Sequence, residues 1–321
     1  MLIMLKYIVI PLAENAVSYC HYNKTGEEAN TISEDVLQKT IRYAMLENLH
    51  ATFVFPNQSI PENYLAIINT ISHTKIAPIN SPLASIANII VAEGLAELDC
   101  SKISNNQILV LRISCGEIGC ITQIYNNLKG TVARINIIIT DIDKSNDKIY
   151  DEYKSILSEL QLKVSEELQE NNHTQINLLS DRLYLTGMNN CNAGYESMAL
   201  MPNGKFYPCP GFYYDNPDED FGDIEQGVSV KNQQLYRLDH APICSHCDAY
   251  QCRRCVWQNR RTTLEVNTPS KEQCVWSHIE RNVSGNILSS IRKNMGEMAL
   301  QPVSIPEINY LDPFDNRDEW I

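Results

Sequence analysis

Cys244-Ser-His-Cys247-Asp-Ala-Tyr-Gln-Cys252-Arg-Arg-Cys255 carries more information than any other stretch of this chain. Two CxxC pairs stand four residues apart, and a tight turn between such thiols aims both sulfurs at one soft metal. Cys191, Gly204 and Cys209 stand upstream and Cys274 downstream, so seven of the 11 cysteines fall in the C-terminal part. Seven thiolates exceed the four of one tetrahedral zinc and approach the eight of two iron–sulfur clusters with four cysteines each. A disulfide-stapled domain is the poorer account, because disulfide-dense proteins are small and secreted, whereas this chain has 321 residues. Its start, Met1-Leu-Ile-Met-Leu-Lys6, lacks the basic region that precedes the apolar stretch of a signal peptide. Zinc remains an alternative for the CxxC pairs, although the residues between them are far fewer than in a zinc-ribbon loop. The short spacings and remote cysteines favour iron–sulfur clusters.

Composition narrows the class. With 44% hydrophobic residues the chain can bury a sizeable core. A net charge of −13 argues against a nucleic-acid partner, which would demand a basic face. Apolar runs such as Ile86–Ala92 are far too short to span a membrane. A cytoplasmic protein with reduced thiols is expected.

The first 185 or so residues alternate short Ile/Val-rich runs with helical periods. Lys6–Ile10, Ala51–Phe55, Lys75–Ile79, Ile86–Ala92, Gln107–Ile113 and Arg134–Thr140 read as buried strands. A capping box at Thr31-Ile-Ser-Glu34 opens one amphipathic helix, and Ser59-Ile-Pro61-Glu62 opens a second. A third covers Ile121–Leu128 and closes at Gly130, and a fourth runs from Asp147 to Glu170. Such alternation predicts an α/β fold with a parallel sheet, open or curled into part of a barrel, with function at the C-terminal ends of the strands. From Met188 the composition shifts to Gly, Pro, Tyr, Asn and Cys, and a last helix is expected over Ser277–Lys293. The expected division is 1–185, a βα barrel domain; 186–296, a cysteine-rich domain with its C-terminal helix; and 297–321, an extended acidic tail.

The order Cys191-x12-Gly204-x4-Cys209, Cys244-x2-Cys247-x4-Cys252-x2-Cys255, Cys274 resembles the SPASM domain of radical-SAM peptide maturases. Its central block is one residue shorter than the family pattern in two gaps, and Gly222-Asp-Ile224 matches the family's Gly-polar-Ile stretch. The resemblance implies a partial (β/α)6 barrel followed by a loop-rich domain with two [4Fe–4S] clusters. It assigns Cys191, Cys209 and Cys255 to one cluster and Cys244, Cys247, Cys252 and Cys274 to the other. The fourth ligand of the first cluster stays open: an oxygen ligand, a distant cysteine such as Cys115 or Cys120, or a substrate thiolate.

The front half departs from the family. Where active members carry CxxxCxxC after the first strand, this chain has Ala16-Val-Ser-Tyr-Cys20-His-Tyr22-Asn23, so one cysteine remains of three. Val54-Phe-Pro-Asn57 replaces the stretch that binds the SAM amine. One thiolate does not hold a cluster with an open iron, and SAM is not expected as a cofactor. The whole chain most resembles the CXXX repeat peptide maturases, through Ser18–Tyr22, Ala199–Phe206 and Pro242–Thr268. That resemblance implies a role in maturing a cysteine-rich ribosomal precursor peptide, alone or with another maturation protein. The alternatives are a non-catalytic module presenting the peptide to a partner enzyme, and a zinc-stabilised structural protein. No catalytic residue is assigned.

Several residues carry two readings each. Arg253, Arg254, Arg260 and Arg261 form either a solvated basic patch or counter-charge to anionic clusters. Trp257 and Trp276 are expected to cover the clusters from water. Cys115-Gly-Glu-Ile-Gly-Cys120, after a strand, is either a reactive thiol pair or a packed turn, with Glu117 placed for a helix start. Cys20 and His21 form either a nucleophile–base pair or simple packing. The acidic run Asp215–Asp223 is either a solvated loop or a screen for a basic leader peptide.

Overall fold

The computed structural model describes residues 5–24, 30–104, 106–169, 174–185 and 187–296, so the expected tail lies outside the described residues. Six strands follow one another in chain order: β1 (Tyr7–Pro11), β2 (His50–Val54), β3 (His73–Pro78), β4 (Ile89–Glu93), β5 (Ile108–Ile113) and β6 (Arg134–Ile139). Each pairs in parallel with the next. β7 (Gln175–Ile176) extends the sheet beyond β6. At the opposite edge β8 (Ser197–Leu200) lies parallel to β1, and β9 (Phe206–Tyr207) runs antiparallel outside it. The architecture is an α/β partial barrel followed by a cysteine-rich region whose first strands join the same sheet.

Alternation along the strands explains why these runs form a buried sheet. Ile8, Ile10, Phe53, Phe55, Ile90, Leu109, Leu111, Ile135 and Ile137 belong to the large core on the helical side. Val54, Ile76, Val91, Val110 and Ile138 form a smaller core on the other face, closed by Ala16 and Val17 from the loop after β1.

Helices α1 (Glu34–Leu46), α2 (Glu62–Ile68), α3 (Ile121–Leu128) and α4 (Asp147–Gln169) cover the helical side. The α1 cap is Ser33, whose hydroxyl accepts from Val36 N at 3.3 Å. Thr31, expected to start the capping box, is instead held in a bridge with Ala13. Short 3₁₀ turns, not helices, connect β3 to β4 and β4 to β5.

The cysteine-rich region contains α5 (Asp181–Tyr184), α6 (Pro210–Asp215), α7 (Val256–Thr263) and α8 (Lys271–Met295), with a hairpin of β10 (Gly222–Asp223) and β11 (Gly227–Val228). α8 starts before the expected Ser277, because Ser270 caps it by accepting from Gln273 N at 3.2 Å. Cys274 therefore sits in the first turn of a helix. Val275, Ile279, Val283, Ile287 and Ile291 are buried in the same core as α4, each burial contributing about 1.5–3 kcal/mol. The two parts of the chain thus share one core. Among the described residues no helix is long and apolar enough to cross a membrane.

Candidate metal centre

None of the 11 cysteines is in a disulfide. Cys191, Cys209 and Cys255 line one cavity of about 320 Å³ at the junction of the sheet and the cysteine-rich region. The same cavity is lined by Tyr19, Cys20, His21 and Tyr22 from the loop after β1, and by Arg253 and Trp257. Cys244, Cys247, Cys252 and Cys274 line a second space of about 20 Å³, room for one water-sized occupant. The sulfurs are not drawn together as ligands of one ion: among the described residues, no three His, Cys, Asp or Glu side chains form such a group.

Local structure favours charge on several of these sulfurs. Cys209 is the N-cap of α6 and Cys255 the N-cap of α7. Helix N-termini present unpaired N–H groups and partial positive charge, which stabilise thiolates. The backbone N–H of Gly211 acts in this sense on Cys209, and those of Gln258 and Trp257 on Cys255. Ala249 N donates to Cys247 Sγ at 3.4 Å. Burial works the other way and raises the Cys209 thiol well above its usual range and the Cys252 thiol to about 11. Buried thiols surrounded by N–H donors lose their protons readily only to a soft cation, whose charge offsets the desolvation.

Arg254 links the two groups. It is fully buried at a left-handed backbone position, φ 41°. Its Nε donates to Asn190 Oδ1 at 2.8 Å and its Nη2 to Tyr236 O at 2.5 Å. Nη1 has no hydrogen-bond partner, although the guanidinium interacts electrostatically with Cys191, Cys244, Cys252 and Cys255. A buried cation with an orphaned N–H, set between two groups of thiols, fits anionic metal–thiolate centres on either side. Of the four arginines, Arg254 is the fully buried one, and Arg253 lines the larger cavity. Arg260 pairs with Glu219 and lies over the Phe212 ring, while Arg261 stacks on Trp257 at 5.0 Å.

The loop after β1 is gripped by a residue that sequence reading missed. Arg112, nearly buried in β5, donates through Nε to Cys20 O at 2.8 Å and through Nη2 to Tyr22 O at 2.7 Å and Asn23 Oδ1 at 2.6 Å. Its Nη1 meets Glu93 Oε1 at 2.9 Å, and Ser18 N donates to the same carboxylate oxygen at 3.3 Å. From the other side, Tyr213 and Tyr214 of α6 donate to Glu14 Oε1 and Glu14 O, at 2.5 and 2.7 Å. Tyr214 also stacks on Tyr22, with centroids 5.7 Å apart. The helix that begins at Cys209 therefore holds the loop that carries Cys20. The available signal was a lone arginine inside the apolar run Ile108-Leu-Val-Leu-Arg112-Ile113.

Other expected residues resolve as follows. Burial holds His21 neutral, with its pKa lowered to about 4, and Nδ1–H donates to Ile139 O at 3.2 Å. Burial also raises the Cys20 thiol to about 12, so the two make a poor nucleophile–base pair. Cys115 and Cys120 bond to different carbonyls: Cys115 Sγ donates to Asp141 O at 3.3 Å and Cys120 Sγ to Glu117 O at 2.6 Å. Neither lines either cysteine cavity, and Glu117 completes a capping box with Ser114. Trp257 lines the larger cavity and donates to Asp215 Oδ2 at 2.8 Å. Trp276 packs on Tyr153 of α4, with centroids 4.0 Å apart, and lines a further cavity with Cys252 and Cys255. Within the acidic run, Asp220 pairs with Lys205 and Glu219 with Arg260, so these charges are engaged internally.

Neither a protein-family model nor a curated protein matches the sequence. Among solved structures, the chain is similar to native anSMEcpe with bound AdoMet and Kp18Cys peptide, with a TM-score of 0.58 at 15% identity, over 91% of this chain and 99% of that one. It is also similar to hexahistidine-tagged anSMEcpe with bound AdoMet, with a TM-score of 0.56 at 13% identity, over 91% and 96% of the two chains. At such identity the likeness is one of fold.

Proposed function

We propose that this chain is an iron–sulfur protein that takes part in maturing a cysteine-repeat precursor peptide and does not cleave SAM. The observation that carries the reading is the cavity of about 320 Å³ at the junction of the sheet and the cysteine-rich region, walled by Cys191, Cys209 and Cys255. Two of those thiols begin helices, and Arg254 stands between this set and the CxxC set with an unpaired N–H. The seven cysteines would hold two [4Fe–4S] clusters, which supply one-electron redox chemistry when bound. Trp257, Tyr19 and Tyr22 exclude water from the larger site, and Arg254 balances its charge.

The absence of SAM chemistry rests on what fills the mouth of the barrel. Ala16 and Val17 are each 2% exposed and pack on the sheet, and the Arg112 guanidinium takes the carbonyls of Cys20 and Tyr22. A neutral Asn23 amide already engaged by Arg112 is no ligand for iron. The peptide partner rests on the family resemblance and on the fold shared with a protein described with a bound peptide.

A second reading concerns the smaller site alone. Its space of about 20 Å³ favours a single zinc in the Cys244, Cys247, Cys252 and Cys274 set over a cubane. Anaerobic metal and sulfide analysis decides: about eight irons with matching sulfide for two cubanes, about four irons plus one zinc for the mixed case. Zinc alone refutes the proposal. Reduced protein given SAM should yield no 5′-deoxyadenosine. A cysteine-repeat peptide should bind, and a mass change on turnover separates a maturase from a presenting module.

A further inference from the structure

Three thiols leave a cuboidal cluster one ligand short, and the larger cavity contains a fourth. Cys20 lines it together with Cys191, Cys209 and Cys255. No other cysteine lines this cavity, and Cys115 and Cys120 spend their thiols on backbone carbonyls.

The backbone that delivers Cys20 is pinned from three directions. Arg112 holds the carbonyls on either side of His21, those of Cys20 and Tyr22. Val17 N donates to Phe55 O at 3.1 Å. Tyr214, five residues beyond Cys209, stacks on Tyr22 and donates to Glu14 O. A loop held this firmly presents its cysteine at a fixed position, and ligands of a rigid cluster need that preorganisation.

We infer that Cys20 is the fourth thiolate ligand of the cluster held by Cys191, Cys209 and Cys255, so that the barrel loop and the cysteine-rich region close on one four-thiolate site. This rests on the iron–sulfur reading proposed above. Its chemical consequence is that the site has no open iron: a thiolate of the precursor peptide does not complete it, and its role is electron transfer or bracing of the two parts of the chain. The lone survivor of the three-cysteine stretch is thereby used for a neighbouring centre.

The test compares full-length wild type, Cys20→Ala, Cys20→Ser and Cys247→Ala, all purified anaerobically and checked for folding by circular dichroism. Cys247→Ala identifies the spectrum of the first cluster by leaving it alone. Cys20→Ala should then lose that signal and about half of the iron, and Cys20→Ser should retain a cluster with a shifted spectrum, because an oxygen replaces a sulfur on one iron. Adding a cysteine-repeat peptide should leave the first-cluster spectrum of wild type unchanged. If the folded Cys20→Ala and Cys20→Ser proteins keep wild-type iron and wild-type spectra, the inference is wrong while the iron–sulfur reading stands. Wild type without iron overturns both.

Discussion

Glu280 on α8 is the clearest place to test whether electrostatics in the shared core work as the structure implies. Its carboxylate accepts from Tyr153 OH of α4 at 2.8 Å and faces Gln251 Nε2 at 3.4 Å. Burial raises its pKa from 4.5 to about 7, with Asp181 of α5 adding to the shift and the Tyr153 and Gln251 hydrogen bonds opposing it. The folded pKa lies above the unfolded one, so the group is protonated in both states below pH 4.5 and imposes no penalty there. Between pH 4.5 and 7 the unfolded chain ionises first, and stability falls as pH rises. Above pH 7 the loss is complete. A shift from 4.5 to about 7 corresponds to a ceiling of about 3 kcal/mol, and because Glu280 keeps some contact with water, about 1–3 kcal/mol is expected. Glu280→Gln keeps the shape and an acceptor for Tyr153 while removing the charge. Anaerobic denaturant titrations of holoprotein should show the variant more stable than wild type by that amount at about pH 8, and little different at about pH 4.5. A variant that is less stable at the higher pH, or whose difference does not vary with pH, would refute the reasoning.

Two further substitutions probe other parts of the argument. Gly222→Ala would place a Cβ 2.1 Å from Gly227 O at a backbone position of φ +111°, so it should open the β10–β11 hairpin and destabilise by about 1–3 kcal/mol, read as a lowered melting temperature. Arg112→Leu leaves Glu93 and the Cys20 and Tyr22 carbonyls without their donor; because Glu93 is partly exposed and Lys24 lies 3.7 Å away, about 1–3 kcal/mol is expected, with faster proteolysis around residues 12–24, and adding Glu93→Gln should recover part of it.

The strands β1 to β6 were legible because each is a short, largely apolar run long enough to cross a buried sheet, and their observed ends differ from the expected ones by no more than a few residues. Strands β7 to β9 were not, because two to four residues carry no period. Ile86–Ala92 fused a turn and a strand: Ala84–Ile86 is a 3₁₀ turn, and β4 begins at Ile89. The α1 cap was displaced from Thr31 to Ser33 by the bridge to Ala13, a contact between loops that local sequence cannot report. The grouping of Cys244, Cys247, Cys252 and Cys274 in one pocket, and of Cys191, Cys209 and Cys255 in another, follows the division that the resemblance implies. Cys20 at the second of these did not, because it depends on the Arg112 grip and on the stacking of Tyr22 with Tyr214, both between residues far apart in sequence.

Under the proposed iron–sulfur reading, these contacts make folding and metal loading one problem in this chain. A buried arginine with an orphaned N–H is unfavourable by itself, and so is a set of buried thiols whose neighbours resist their ionisation. Placed together they cancel only when the thiols are ionised, which is the state a soft metal stabilises. On that reading Arg254 penalises the protein without metal and favours the loaded one. The consequence extends beyond the cysteine-rich region. β8 pairs with β1, α8 is buried with α4, and Arg112 ties the loop after β1 to the strands. The barrel half and the cysteine-rich region share a sheet and a core, so on that reading loss of the metal would be felt in both.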